Sequence, residues 1–145
     1  MLYAVAIATH IVVAVLGIGL VGAVPLVARW TRGTGGSADT RNLLAVLLRS
    51  TQLAFAAMVV TGILLDVSVA GAFHRAGWFQ LSVVVLAFVG FSHARARVAL
   101  RSAPSVAVPD LALRGVERWG VAMCVGIAAL ALLMQLKPFP GGLFP

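Results

Sequence analysis

Four long apolar runs alternate with short polar segments along this chain. None of the runs contains Lys or Arg, and they extend over Tyr3 to Ala28, Thr51 to Leu65, Trp78 to Phe91 and Trp119 to Leu136. At a rise of about 1.5 Å per residue, about 20 helical residues cross a hydrocarbon core of about 30 Å. With their flanks, the runs predict spans of about 3–28, 50–70, 77–97 and 116–136 in a single domain. We therefore predict an all-α integral membrane protein, an antiparallel up-down-up-down bundle of four helices.

Composition agrees with this prediction. Hydrophobic residues make up 61% of the 145 residues, charged residues make up 10%, and the mean hydropathy is +1.06. Such a chain has too few polar residues to cover the surface of a soluble domain, so we expect it to contact the lipid bilayer. The first run has no basic residues before it and is too long for a signal peptide, so we expect it to be retained.

The net charge of +7 is explained by where the arginines lie. Loops one and three hold or adjoin nearly all of them, whereas the second loop has only Arg75. The positive-inside rule then places loops one and three in the cytoplasm and both termini outside, in a membrane we expect to be the bacterial inner membrane. A nucleic-acid partner is not expected, because the position of the arginines in loops one and three is explained by the orientation in the membrane.

Several local features predict how the helices pack. Pro25 removes a backbone donor and frees the carbonyl of Val21, which predicts a kink. Cys124 is interpreted as a small packing residue. Small residues recur every fourth position in spans one and four, a pattern that lets backbones approach closely within the bundle or, less favoured, in a homo-oligomer or larger complex. We also expect a cap for the second helix at Asp39 or Thr40, and a tight hairpin of spans two and three.

Polar residues inside the spans are the candidates for function, because burying them is costly unless they are paired or used. His10 lies about 10 Å below the outer end of its helix, counted from Tyr3. Imidazole there could ligate haem iron or copper or accept a proton, or could simply bond to a neighbouring hydroxyl or carbonyl. Other neutral polar residues can bond between helices, namely Gln52, Thr61, Gln80, Ser82 and Gln135.

Two further histidines lie nearer the membrane surfaces. His93 is close to the cytoplasmic end of span three, where it can reach headgroups and water, and is too deep to share one haem iron with His10. His74 lies in the second loop, where we expect Asp66 to pair with Arg75.

Two segments and the chain's end carry a resemblance to a known family. The first segment is His10 to Arg29 (HIVVAVLGIGLVGAVPLVAR), the second is Gly77 to Arg97 (GWFQLSVVVLAFVGFSHARAR), and Lys137-Pro138-Phe139 follows the last span. They resemble the first and third spans and the Lys-Pro-Phe ending of HemJ-type protoporphyrinogen oxidases, small four-span proteins that bind haem. Small membrane proteins of the copper-resistance CopD kind share parts of the pattern.

The resemblance implies a bound haem b or porphyrin, with His10 as axial ligand or catalytic proton acceptor and His93 at the place of a family histidine. A haem face would pack against the span-one glycines Gly17, Gly19 and Gly22, where missing side chains leave room, and helix contact is the alternative role for these glycines. The family also has a His and a Lys just after Gly-Trp in span three, and this chain has Gln80 and Ser82 there. The oxidase activity therefore stays open.

Two other functions remain open from the residues. Met1, His10, His74 and Met134 all fall in the outer half of the predicted topology, and thioether with imidazole suits Cu(I), so copper handling is one alternative. The other is an accessory subunit without a ligand, which would pack into a membrane complex through the small-residue faces of spans one and four.

Overall fold

The computed structural model describes residues 2–102 and 110–137, the backbone alone being described at Leu2. These residues form four helices and no strand: α1 (Leu2–Gly33), α2 (Ala38–Ser68), α3 (Gly77–Arg101) and α4 (Asp110–Leu136). Each helix is long and apolar enough to cross a membrane. The predicted class, an all-helical membrane bundle, is confirmed.

The helices extend beyond the predicted spans at one end of the bundle. α1 continues to Gly33 and α2 begins at Ala38, about 18 Å of helix before residue 50. Following the predicted orientation, we call the end with residues 34–37 the inner end and the end with residues 69–76 the outer end. Residues 103–109, in the third loop, lie outside the described residues, as does everything after Lys137.

The turn between α1 and α2 is short and is closed by a side-chain cap. Gly35 and Gly36 both have positive φ, 85° and 57°, which glycine adopts without strain. The hydroxyl of Ser37 then accepts a hydrogen bond from the Thr40 amide at 3.3 Å. The cap expected at Asp39 or Thr40 was therefore placed wrongly, because Ser37 is the last extended residue and its oxygen reaches the third following amide.

The four helices pack as an open arc rather than a closed square. α3 packs most extensively on α4, α1 packs on both α2 and α4, and α2 and α3 touch very little. The expectation of a tight hairpin between spans two and three was wrong. A short connection fixes only the ends of two helices, and the faces of α2 and α3 are directed to α1 and α4 instead.

Small residues of α4 pack against α1 and α3, which is the packing within the bundle predicted for span four. A Cβ at Gly120 would lie 3.0 Å from the Pro25 Cδ, so the two backbones meet there. A Cβ at Gly126 would overlap the Val89 side chain. Gly19, by contrast, has open space around it.

Cys124 has a more specific contact than the packing role expected from the sequence. Its thiol donates to the Val21 carbonyl, with 3.8 Å between Sγ and O. That carbonyl is the one that Pro25 leaves without a helical donor, four residues later. The thiol of α4 therefore satisfies the backbone group that the proline frees in α1.

Ionic contacts close the inner end of the same helix pair. Arg32 at the end of α1 pairs with both Asp110 and Glu117 of α4, the Asp110 bond being 3.0 Å. Asp110 also accepts from Arg114 one turn further along α4. The buried apolar core lies mostly above these ion pairs, in the inner half of the bundle, with Leu44, Leu113 and Met123 almost fully buried.

Candidate binding cavity at the outer end

The outer half of the bundle contains an apolar cavity of about 320 Å³. All four helices contribute to its wall, because the arc leaves a space where α2 and α3 fail to meet. The lining residues are His10 of α1, Met58, Val59, Gly62 and Ile63 of α2, Phe79, Ser82, Val83 and Leu86 of α3, and Leu130 and Met134 of α4. His10 is the only ionisable group among these lining residues.

His10 is held in one orientation by α2. Its Nδ1 lies 2.8 Å from the Thr61 hydroxyl oxygen, and that oxygen lies 2.8 Å from the Ala57 carbonyl one turn earlier. The Thr61 hydroxyl has a single proton, which it donates to the carbonyl, because the carbonyl can only accept. We assign the Nδ1 proton to His10, which then donates it to Thr61, because this tautomer leaves no ring N–H unpaired in the cavity. This assignment satisfies all three groups.

The consequence for the imidazole is a defined tautomer. With the proton on Nδ1, the lone pair of His10 is on Nε2, which has no hydrogen-bond partner among residues 2–102 and 110–137. The opposite tautomer would leave an N–H in an apolar cavity without an acceptor, which costs free energy. The sequence left two interpretations of His10 open, a ligand or a histidine bonded to a neighbouring hydroxyl. The structure is compatible with both, since Nδ1 bonds to the Thr61 hydroxyl and Nε2 stays available.

Two small residues shape the space around the imidazole. A Cβ at Gly62 would lie 3.7 Å from the His10 Cε1, so glycine at this position leaves the edge of the ring uncovered. Ser82, on the opposite wall, donates its hydroxyl proton to the Trp78 carbonyl of its own helix at 2.8 Å. It therefore keeps only acceptor capacity for a ligand.

The loop over the outer end is organised by Asp66. Its carboxylate accepts from the backbone amides of Phe73 and His74, at 2.9 and 3.1 Å, and from His74 Nδ1 at 2.9 Å. The expected Asp66–Arg75 pair is therefore wrong, because the loop turns back at Gly71, where φ is 75°, and brings His74 over the carboxylate. His74 is occupied by this contact and does not line the cavity.

The remaining candidate histidine, His93, joins α3 to α2 nearer the inner end. His93 is buried, and its Nε2 donates to the Leu48 carbonyl of α2 at 2.8 Å. Its ring also packs edge-on against Phe55, 6.0 Å between centroids. The expectation that it reaches headgroups and water is wrong, since it is turned into the bundle and fastens α3 to α2 below the cavity.

The three glycines of α1 do not surround His10. Gly17 faces α2, where its Cβ position is 3.5 Å from the Ala54 Cβ, and Gly19 is exposed. Gly22 lines a different, smaller groove between α1 and α4. None of the three lines the cavity, and the glycine that does is Gly62.

The candidate copper ligands are only partly assembled. His10 and Met134 line the same cavity, whereas His74 lies in the loop and Met1 is outside the described residues. Among the described residues no group of three or more His, Cys, Asp and Glu side chains is placed to hold a metal ion.

The sequence indicates His10 and Met134 as ligands, but Thr61 and Ser82 only as polar residues that can bond between helices. Gly62 and Phe79 carry no signal of a site in the sequence alone. One signal could have found Thr61: it lies about 10 Å from the outer end of α2, as His10 lies about 12 Å from the start of α1, and antiparallel neighbours at equal depth can touch.

Comparison of the chain with protein-family models, with curated proteins and with solved structures finds no match.

Proposed function

We propose that this membrane protein binds haem b or a related porphyrin in the outer cavity, with His10 Nε2 as the axial ligand. The observation that carries the proposal is the His10–Thr61 bond of 2.8 Å, which fixes the ring and leaves the Nε2 lone pair available. Histidines that ligate metals usually donate their other ring N–H to an oxygen acceptor in this way. Imidazole is also a frequent axial ligand of haem iron.

The walls of the cavity suit such a ligand. Its lining is almost entirely apolar, as the faces of a tetrapyrrole require. Its volume of about 320 Å³ lies at the lower end of the range of about 300–1,000 Å³ for ligand sites and is too small to enclose a whole tetrapyrrole. The side between α2 and α3 is open, so a flat molecule need not be enclosed on every edge. Gly62 itself places no side chain against the Cε1 edge of the imidazole, where a Cβ would lie 3.7 Å away.

The polar groups favour binding over catalysis by the chain itself. HemJ-type oxidases, which two segments of this chain resemble, have a His and a Lys where this chain has Gln80 and Ser82. An amide and a hydroxyl are not basic, so neither residue replaces the family's His or Lys as a proton acceptor. In this structure Gln80 donates to the His74 carbonyl at 3.3 Å, and Ser82 donates to its own helix. Bound haem would supply one-electron chemistry. The role of the chain is to ligate the iron, to fix the imidazole tautomer and to exclude water.

Copper handling is the second candidate, and one observation favours it. His10 and Met134 line the same cavity, and imidazole with thioether is a donor set that suits Cu(I). The two ligands come from α1 and α4, which pack directly on each other. His74 adds nothing to this pair, because Asp66 holds it in the loop.

Absorption spectroscopy on the detergent-purified protein from a haem-replete host tests the proposal. We expect a Soret band in the wild type and in His74→Ala, and no band in His10→Ala, since His10 is the only histidine among the described residues that line the cavity. A wild-type protein without a Soret band after haem reconstitution would contradict the proposal, and so would an unchanged band in His10→Ala.

Metal analysis after copper loading distinguishes the alternatives on the same samples. Copper retained by the wild type but lost in both His10→Ala and Met134→Ala, without a Soret band, would support copper handling. A colourless, metal-free protein that co-purifies with a larger complex would instead indicate an accessory subunit.

A further inference from the structure

We infer that the ligand of this cavity reaches it sideways from the lipid, through the gap between α2 and α3, and not from the water at either end. The ligand class would then be a molecule dissolved in the bilayer. This inference deepens the proposed function, because it concerns the cavity in which we place the porphyrin. It follows from which sides of the cavity are closed and which side is open.

The open side is the gap itself. α2 and α3 are consecutive in the chain but hardly pack, and the rim of the cavity between them is formed by Val59 and Ile63 of α2 and Val83 of α3. These three residues are 41%, 58% and 52% exposed. In a bilayer such apolar residues face acyl chains, so the mouth opens onto lipid.

The outer end is closed by an aromatic layer. Phe73 of the loop packs on Trp78 with 5.7 Å between ring centroids, and Trp78 packs on Phe79 at 5.9 Å. Phe79 in turn lines the cavity. Asp66 holds the loop over this layer through both backbone amides at its tip. On the side of α2 and α3, water at the outer surface therefore meets the loop and the three rings before the cavity.

The inner end is closed where α3 rejoins α2. The buried imidazole of His93 donates to the Leu48 carbonyl, and Phe55 packs against the same ring. One turn further towards the inner end, Arg97 donates to the side-chain carbonyl of Gln52 at 2.5 Å. α2 and α3 are thus joined at both ends and separated between them.

A ligand with this access route must be soluble in the bilayer. It would diffuse in the half of the bilayer at the outer end and enter the gap edge-first, with its polar groups kept near the headgroups. A tetrapyrrole dissolved in lipid satisfies this requirement. A hydrated metal ion does not, so the route also favours the porphyrin over copper.

The test narrows the mouth and uses matched control positions. Val59→Trp with Val83→Trp places two indoles on the rim, and Val60→Trp with Val84→Trp places them on neighbouring exposed valines that do not line the cavity. Both double variants are made with Ser82→Cys as a reporter in the cavity wall and with Cys124→Ser, which removes the native thiol but keeps a donor for Val21. The full chain is reconstituted into phospholipid vesicles after a monodisperse elution has been verified.

Two maleimides then report the route without any haem, one uncharged and lipid-soluble, the other sulfonated and water-soluble. We expect the lipid-soluble reagent to label residue 82, the sulfonated one not to, and the rim pair to slow labelling by about tenfold or more relative to the control pair, about 1.4 kcal/mol in the barrier. Equal labelling by the sulfonated reagent, or equal rates in the two tryptophan pairs, would overturn the inference.

Haem binding is measured in a separate experiment, so the access route and the porphyrin site can be refuted independently. Lateral labelling without a Soret band would support the access route and contradict the porphyrin site. A His10-dependent Soret band together with labelling from water would support the porphyrin site and contradict the lateral route.

Discussion

Thr61→Val removes the hydroxyl that positions His10 while it keeps nearly the same side-chain volume. The change leaves the His10 Nδ1 proton without its acceptor at 2.8 Å. In a water-soluble protein an unsatisfied buried donor costs about 1–3 kcal/mol. Between transmembrane helices the measured coupling is smaller, on average about 0.6 and at most about 1.7 kcal/mol, because the unfolded chain in the membrane also finds partners. We therefore expect a destabilisation of about 1 kcal/mol.

Thr51→Val is the matched control. Thr51 is another buried threonine of α2, and its hydroxyl donates to the Leu47 carbonyl at 2.8 Å, but it does not touch His10. Both variants lose a bond within the helix, and only Thr61→Val loses the bond to α1. The difference between them therefore isolates the contact with His10.

The assay is reversible unfolding in mixed micelles, extended to a double-mutant cycle with His10→Leu. We expect a coupling energy between positions 10 and 61 of about 0.6–1.7 kcal/mol, and none between positions 10 and 51. A coupling below about 0.3 kcal/mol for the 10–61 pair would refute the assignment of the bond, since that is the usual error of additivity.

The same variants test the proposed ligand role. Loss of the partner that orients a ligating imidazole typically weakens metal affinity by about 10–100-fold. Thr61→Val should weaken haem binding to this extent in a spectroscopic titration, and Thr51→Val should bind like the wild type. Equal affinity in the two variants would show that the tautomer set by Thr61 does not matter for the ligand.

Three further predictions concern packing and topology. Cys124→Ala should be less stable than Cys124→Ser by about 0.5–1 kcal/mol in the same unfolding assay, because only serine keeps a donor for the Val21 carbonyl; equal stabilities would show that the thiol bond contributes nothing. Gly126→Ala should destabilise by about 1–3 kcal/mol through overlap with Val89, whereas Gly19→Ala should be nearly neutral or slightly stabilising because nothing lies near its Cβ position; similar values for the two would contradict the packing of α3 on α4. A reporter fused to the carboxyl terminus should be active only in its extracytoplasmic form, since the arginines cluster in loops one and three, and cytoplasmic activity would reverse the orientation.

The helices could be predicted because their signal is local. Apolar runs of bilayer length, with Trp78 and Trp119 near the ends of their runs, specify spans without knowledge of the neighbours. The freed carbonyl of Val21 was also predicted, since the effect of Pro25 depends only on the residue four positions earlier.

The contacts between helices could not be predicted in the same way. Cys124 meets a carbonyl 103 residues away, and His93 meets one 45 residues away. Which faces of two apolar helices meet depends on small differences in packing over their whole length, and several rotations of α2 satisfy the same hydropathy. The gap between α2 and α3, and therefore the cavity, is a product of those rotations.

The open arc divides the chain into two successive helical hairpins. α1 packs on α2 and α3 packs on α4, while the halves are joined mainly through α1 and α4 and by the connection at residues 69–76. Each half can therefore form as a pair during synthesis, before the other is present. The cavity belongs to neither pair, since His10 comes from the first and Phe79 from the second. A chain divided within that connection should reassemble from two fragments, and the ligand site would exist only once they have joined.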